Sequence, residues 1–183
     1  MMKGIVRPAM IAGASLWVLL SVACSKTPLT EMTPPPPPPV KDTTFVMNNP
    51  VNQQLLITLV NEIRTKGCNC GDTFMAAAAP IIWSKPLERA AYLHSKDMFE
   101  NNYFSHNDLE GGNGGKRIAS MGYIWQAWGE NIALGVLNER TVVEGWFKSV
   151  THCKVLMTSS FREMGVAKVG NFWSQEMAVP KAF

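Results

Sequence analysis

Leu55, Leu56, Leu59, Val60 and Ile63 recur at helical spacing between Pro50 and Lys66. One amphipathic helix is predicted there, stopped by Gly67. A second is predicted from about Ser84, which can cap it, with Pro86 in the first turn, where a missing N–H costs nothing. Leu87, Ala90, Ala91, His94 and Met98 line one stripe of that helix, and on such a stripe His94 is expected to be a half-buried side chain satisfied by a backbone carbonyl. Arg117, Ile118, Met121 and Tyr123 mark a short third helix entered through Gly111 to Gly115. Asn138 can cap a fourth, whose apolar face is Val142, Val143, Trp146 and Phe147. Toward the C-terminus the period changes to two. Met164 and Val166, then Phe172, Ser174 and Glu176, read as two strands joined at Gly170-Asn171, a dipeptide that tolerates positive φ and closes a tight hairpin. Glu130 to Ala133 and Ile81 to Trp83 are further strand candidates. Helices early and strands late predict an α+β fold with helices covering a sheet.

The first fifty residues follow different rules. Lys3 and Arg7 precede an apolar run from Pro8 to Val22 that ends in Ser21-Val22-Ala23-Cys24. This pattern reads as an export signal over residues 1–23, cleaved before Cys24. A cysteine directly after small residues looks like a bacterial lipobox, which makes Cys24 the acylated residue and attaches the protein to a membrane through its lipid. An uncleaved anchor is the alternative, for which the run is short. Residues 24–49 hold six consecutive prolines, Pro34 to Pro39, and few large apolar side chains. That composition is a lipidated tether, and a polyproline II rod of this length spaces the domain roughly 20 Å from the bilayer. Residues 50–183 are long enough for one hydrophobic core and too short for two. The expected location is the cell envelope, at the outer membrane if the cell is Gram-negative, since Ser25 follows the lipid cysteine.

Charge and cysteine use narrow the partners. The formal net charge is +3, and losing a leader that carries Lys3 and Arg7 leaves about +1, so nucleic acid is not an expected partner. With Cys24 committed to lipid, Cys68, Cys70 and Cys153 remain. An oxidising compartment favours one disulfide and one leftover thiol. Cys68 and Cys70 are too close to pair comfortably, so Cys153 is expected to bond with Cys70 or Cys68. A zinc knuckle of these three cysteines with His152 is the competing arrangement.

Candidate chemistry centres on His106 in Phe104-Ser105-His106, Glu130 in Gly129-Glu130-Asn131-Ile132, and His152 in Thr151-His152-Cys153. If folding brings them together, two imidazoles and a carboxylate share a cleft, which is a ligand or acid/base set. His106 and His152 could hold zinc, while Glu130 orients a ligand or takes a proton from water. Two protein ligands hold zinc weakly. The competing arrangement is a hydrogen-bonded polar network that fixes the cleft wall. Adjacent Ser105-His106 and Ser95-His94 rarely aim at each other along the chain, and no glycine elbow is present for a serine nucleophile. The leftover cysteine thiol, with His152 nearby, is another candidate nucleophile. Trp125, Trp128 and Trp146 are candidates for lining the cleft, where aromatic faces could stack on sugars or lipid tails.

The short motifs also follow a familiar order. Leu59-Val60-Asn61 through Arg64, Cys68-Asn69-Cys70-Gly71, Leu87 with Ala90-Ala91, His94-Ser95 and Asp97-Met98 come first. Phe104-Ser105-His106, Gly122-Tyr123, Gly129-Glu130-Asn131-Ile132-Ala133, Trp146 with Ser149, His152-Cys153 and Glu163-Met164-Gly165-Val166 complete the set. From Asn52 to Ala178 the chain resembles the CAP superfamily, the cysteine-rich secretory, antigen 5 and pathogenesis-related (SCP) domain, in its bacterial form. The resemblance implies a single-domain, three-layer α-β-α sandwich whose cleft presents two histidines and two acids in many members. By motif His106 is the first histidine, Glu130 the first acid and His152 the second histidine. The place of the second acid, three residues after Trp146, holds Ser149. Ser149-Val150-Thr151-His152 stands where bacterial relatives commonly carry Ser-Pro-Gly-His. Since family members are associated with lipid or sterol binding and diverse secreted roles, the implied function is a non-enzymatic envelope module that binds a small apolar or glycan ligand or a partner protein. The alternative is a metal-assisted hydrolase of peptide or cell-wall material.

Overall fold

A computed structural model describes residues 46–182. The predicted leader, Cys24 and the proline run lie outside the described residues. In chain order the elements are α1 (Gln53–Arg64), β1 (Cys68–Cys70), β2 (Thr73–Met75), β3 (Ile82–Trp83), α2 (Lys85–Glu100), α3 (Gly114–Ser120), β4 (Trp125–Leu134), α4 (Glu139–Lys148), α5 (Val150–Met157), β5 (Glu163–Val169) and β6 (Phe172–Pro180). Strands β3, β5, β6 and β4 form a four-stranded sheet in that order, and β1 pairs with β2 in a separate hairpin. β3 runs parallel to β5, while β5 with β6 and β6 with β4 are antiparallel. No described helix is long and apolar enough to cross a membrane.

Period-two alternation on β5 and β6 sorts the two faces of the sheet. Met164, Val166, Trp173 and Met177 point to one side and join Leu56 and Val60 of α1, Val142, Val143 and Trp146 of α4 and Leu156 of α5 in the main core. The opposite side carries Gly165, Ala167, Ser174, Glu176 and Ala178, which are small or polar. Helix α2 lies on that side and meets it with Ala90, Ala91 and Ser95; Ser95 Oγ bonds Ser174 Oγ at 3.0 Å. The result is the expected α-β-α sandwich, with one apolar interlayer and one that is small and partly polar.

Several elements differ from their prediction in ways with a local cause. α1 begins at Gln53 and not Pro50, because the Asn52 side chain accepts the Leu55 N–H at 3.0 Å and sets the cap; Gly67 beyond its end takes φ +71°. Ser84 occupies the N-cap position of α2, yet its side chain makes no capping bond. Its backbone N–H instead bonds Met164 O at 2.8 Å, continuing the β3–β5 pairing. α3 starts inside the glycine run, at Gly114, where Asn113 caps it. The predicted cap at Asn138 forms, as a reciprocal capping box with Thr141.

One hairpin and one helix escaped prediction altogether. The β1–β2 hairpin turns at Gly71-Asp72. α5 has little amphipathic pattern and begins with β-branched Val150 and Thr151, so tertiary bonds hold it. Arg64, fully buried at the end of α1, donates to Leu156 O at 2.5 Å, Thr158 O at 3.1 Å and Phe161 O at 3.1 Å, closing the C-terminal carbonyls of α5. Burial, and to a smaller extent Arg162, lowers the Arg64 pKa to about 10. At the other end of the helix Cys153 is bonded to Cys70, the first of the two expected pairings, and Cys68 is the free thiol.

Buried Glu88 on α2 ties the chain entry to the sheet. Its carboxylate accepts from Asn49, Gln53, Trp83 and Lys85 at 2.9 to 3.0 Å. Burial favours the protonated form, but the donors from Trp83, Lys85 and Asn49 prevail and the pKa is lowered.

Close approach between α2 and β5 depends on Gly165. A Cβ there would lie 2.0 Å from the Glu88 backbone nitrogen, which is too near for any rotamer to relieve. Gly165→Ala is therefore expected to destabilise the protein by about 3 kcal/mol or more, read from the urea midpoint. Gly145 in α4 is the internal control, since nothing lies within 4 Å of its added Cβ. Gly145→Ala should raise stability by about 0.5 to 1 kcal/mol in the same assay.

Candidate functional site

Antiparallel register places Glu130 of β4 directly opposite Glu176 of β6, both on the α2 side of the sheet. Adjacent carboxylates in a buried layer cannot both ionise without a cation, and Arg117 of α3 is that cation. Its Nη2 donates to Glu130 Oε2 in a short contact, and its Nε lies 3.9 Å from Glu176 Oε1. The same Nη2 donates to His106 O at 3.0 Å, which pins the loop between α2 and α3. Gly114 at the start of α3 permits the approach, for a Cβ there would stand 3.2 Å from Glu176 Oε2 and 2.7 Å from the Trp128 ring.

The two acids divide their roles. Burial alone would raise the pKa of Glu130, but the bond from His106, the adjoining Glu176 carboxyl and the charge of Arg117 bring it below the usual carboxylate value. Glu176 is completely buried, and desolvation followed by the Glu130 charge raises its pKa well above the ordinary value. The pair is thus biased toward an ionised Glu130 and a protonated Glu176. His94 Nε2 lies 3.8 Å from Glu130 Oε2.

His94 is more deeply placed than expected. It is fully buried, and neither ring nitrogen has a hydrogen-bond partner of good geometry among the described residues. Desolvation dominates its lowered pKa, outweighing the opposing Glu130 charge and the Ser105 backbone, so the ring is neutral. The orphaned nitrogens of His94, Nε and Nη1 of Arg117 and both oxygens of Glu176 lie around the same acid pair, a concentration of unpaired buried polar atoms that natural cores rarely hold.

His106 forms the outer edge of the cluster. Its Nδ1 is 2.6 Å from Glu130 Oε1, and because the ionised carboxylate can only accept, that nitrogen carries the proton. The other ring nitrogen, Nε2, belongs to a side chain that is 55% exposed. β4 is an edge strand, and His152 approaches it from the other helical layer, on α5. The His152 backbone oxygen accepts from Asn131 Nδ2 at 3.4 Å. Its half-buried ring has a pKa lowered first by desolvation and then by the charge of His106. Glu130 and His106 are thus in contact, and His152 lies within electrostatic reach at the strand edge.

Other predicted site residues separate. Trp125 and Trp128 flank the start of α3 with rings 6.3 Å apart. Trp146 is 1% exposed in the main core and donates to Ile132 O, so it lines no cleft. At the expected place of the second acid, the side-chain hydroxyl of Ser149 pairs with that of nearby Thr151. Glu176 is the acid that faces Glu130. Its signal in the sequence was a carboxylate at an inward, period-two position of a buried strand. For Arg117 the sequence pattern indicates only a place on a helix.

The donors suit zinc poorly at the histidines. His106 and His152 supply two ligands where a catalytic zinc normally has three, and both Glu130 oxygens are engaged. Among the described residues, the group of three metal-ligating atoms within 4.8 Å of one another consists of the sulfurs of Cys68, Cys70 and Cys153. Two of these are joined as the disulfide.

The raised pKa of Glu176 means that the folded state keeps a proton that the unfolded chain releases above about 4.5. Its contribution to stability is full below that pH and is lost as pH rises through the folded value. Glu176→Gln removes this loss, so the variant's stability relative to wild type should increase from pH 5 to pH 8 in chemical denaturation. Glu130 has the opposite sign, contributing above its unfolded pKa. Glu130→Gln, which leaves Arg117 without its charged partner, should cost about 3 to 5 kcal/mol at neutral pH and less in acid.

The comparisons agree with this fold. Residues 57–176 match the family model for the cysteine-rich secretory protein family. The chain is 32% identical over 124 residues to the uncharacterized membrane protein YlbC of Bacillus subtilis, a match covering 68% of this chain and 33% of YlbC. It is also 32% identical over 99 residues to the uncharacterized protein YkwD of the same organism, covering 53% of this chain and 38% of YkwD. The matches therefore span well under half the length of these relatives. A crystal structure of an extracellular SCP-domain protein from Bacillus anthracis superposes with a TM-score of 0.62 at 30% identity, over 69% of this chain and 40% of that one. An outer surface protein of Borrelia burgdorferi shares the fold, with a TM-score of 0.59 at 20% identity over 70% of this chain and 92% of its own. By sequence match and by fold together, the chain belongs to the cysteine-rich secretory protein family.

Proposed function

We propose that this is an exported, lipid-anchored envelope module that binds a polar ligand, a glycan or peptide strand of the envelope, at the β4 edge without transforming it. The observation that carries this reading is the state of Glu130. Both of its oxygens are engaged, one by His106 and one by Arg117, in a side chain only 2% exposed. It is therefore unavailable as a base toward an outside water. Among the described residues, no hydroxyl or thiol is hydrogen-bonded to His106 that could serve as a nucleophile. What faces solvent is an imidazole fixed through Nδ1, whose Nε2 is left for the hydroxyl or amide groups of a ligand.

Surrounding chemistry favours a polar ligand over an apolar one. On the α2 and α3 side, apart from β4, a groove of about 450 Å³ is lined by Arg117 with Asp97, Asp108, Glu110, Leu93 and Leu109. Its acidic wall favours hydroxyl or amine donors and disfavours anions. The localisation of the relatives is consistent with an envelope setting, since one is described as extracellular and another as an outer surface protein.

A second reading, hydrolysis of cell-wall material, has one observation in its favour. A carboxylate holding Nδ1–H of an exposed histidine is the arrangement that prepares Nε2 as a general base or a metal ligand.

Equilibrium binding to purified muropeptides separates the two. The wild-type protein should bind without cleaving, and His106→Ala should weaken binding at least tenfold, about 1.4 kcal/mol, with the fold unchanged by circular dichroism. Turnover of muropeptides that disappears in His106→Ala would replace the binding reading with the hydrolytic one.

A further inference from the structure

Away from the cleft, the end of the β1–β2 hairpin meets the start of α5 at three sulfur atoms. Cys70 and Cys153 are joined, and both are buried. Cys68 Sγ lies 3.9 Å from Cys153 Sγ, close to van der Waals contact, and Cys68 remains partly accessible. All three sulfurs fall within 4.8 Å of one another. Cys68 and Cys70 are two residues apart on β1, so their side chains leave the strand on the same side, toward α5. Either can therefore reach Cys153 with little backbone movement.

We propose that Cys68, Cys70 and Cys153 form a thiol–disulfide exchange centre that interconverts two disulfide isomers. The Cys68 thiolate attacks Cys153 Sγ, the Cys68–Cys153 bond forms, and the Cys70–Cys153 bond breaks. The electron pair leaves on Cys70 Sγ, which takes up a proton equivalent to the one Cys68 released. No external oxidant or reductant is consumed. Attack on Cys153 is favoured over attack on Cys70, because a disulfide between residues 68 and 70 would close a strained ring within one strand.

Exchange changes what the surface offers. In the form described, a half-accessible thiol is open to reaction with an outside disulfide or oxidant. In the other isomer the free thiol is Cys70, 1% exposed and shielded. Burial raises the Cys68 pKa, so exchange is slow at neutral pH and accelerates with the thiolate fraction as pH rises. The same movement acts on the cleft wall. His152 immediately precedes Cys153, and the hairpin rests on the first residue of α5, where a Cβ at Gly71 would lie 2.9 Å from Val150 Cγ2.

The test is to locate the free thiol. The intact protein is held anaerobically at about pH 7 and about pH 9, quenched in acid, unfolded and labelled with a maleimide. Fragmentation of the peptide that carries both cysteines then reports which one is alkylated. Label divided between Cys68 and Cys70, approaching its final ratio at least tenfold faster at the higher pH, supports the proposal. Label confined to Cys68 after prolonged incubation at the higher pH overturns it. In a glutathione redox buffer, Cys70→Ser should close a Cys68–Cys153 disulfide and show no free thiol. Two titratable thiols in a Cys70→Ser protein with an unchanged circular dichroism spectrum would also overturn it. If that variant does not fold, the wild-type labelling decides alone.

Discussion

The pairing of β4 with β6 sets two carboxylates side by side in a buried layer, and much of the candidate site follows from that juxtaposition. Like charges at this distance and depth cannot both persist. Protonation of Glu176 relieves one and Arg117 neutralises the other. Because Arg117 must reach both acids, α3 is drawn against the sheet, and glycine is needed at its first turn. Because ionised Glu130 can only accept, His106 Nδ1 must carry a proton in their contact, and the ring is held by it at the surface. The exposed chemistry is thus dictated from the interior outward.

The two faces of the sheet perform different tasks. The face toward α1, α4 and α5 carries the large apolar side chains, and burial of Trp146, Trp173, Leu56 and Leu156 supplies most of the hydrophobic stabilisation. The face toward α2 is built from Gly165, Ala167, Ser174 and Ala178, which let the helix approach closely and leave room for polar side chains. A polar cluster can be tolerated there because the other layer provides the stability that the cluster does not. The β4 edge is where the two layers meet, and it receives His106 from one side and His152 from the other.

Helix α5, which carries His152, depends on partners outside itself. The Arg64 guanidinium satisfies carbonyls at its C-terminal end, and the Cys70–Cys153 disulfide holds it near its start. Both are long-range, so the position of the second histidine is coupled to α1 and to the cysteine hairpin. That coupling is absent for His106, whose loop is held by Arg117 and Glu130.

Residue pattern alone determined the four strongly periodic helices, the Gly170-Asn171 hairpin and the order of short motifs that carries the family resemblance, because each depends on local spacing. It also singled out His106 and Glu130, which the fold brings into contact, and the limited choice of partners for Cys153. Tertiary structure alone decided the rest. α5 has no periodicity of its own, so only Arg64 and the disulfide reveal it. Nothing in the spacing of Glu130 and Glu176 announces that they face each other, since strand register arises from the whole sheet. Arg117 becomes a charge partner only once α3 is docked, and His94 becomes an acid's neutral neighbour only at complete burial. Local sequence records which groups are available, whereas ionisation and reach depend on what long-range packing places within a few ångströms of them.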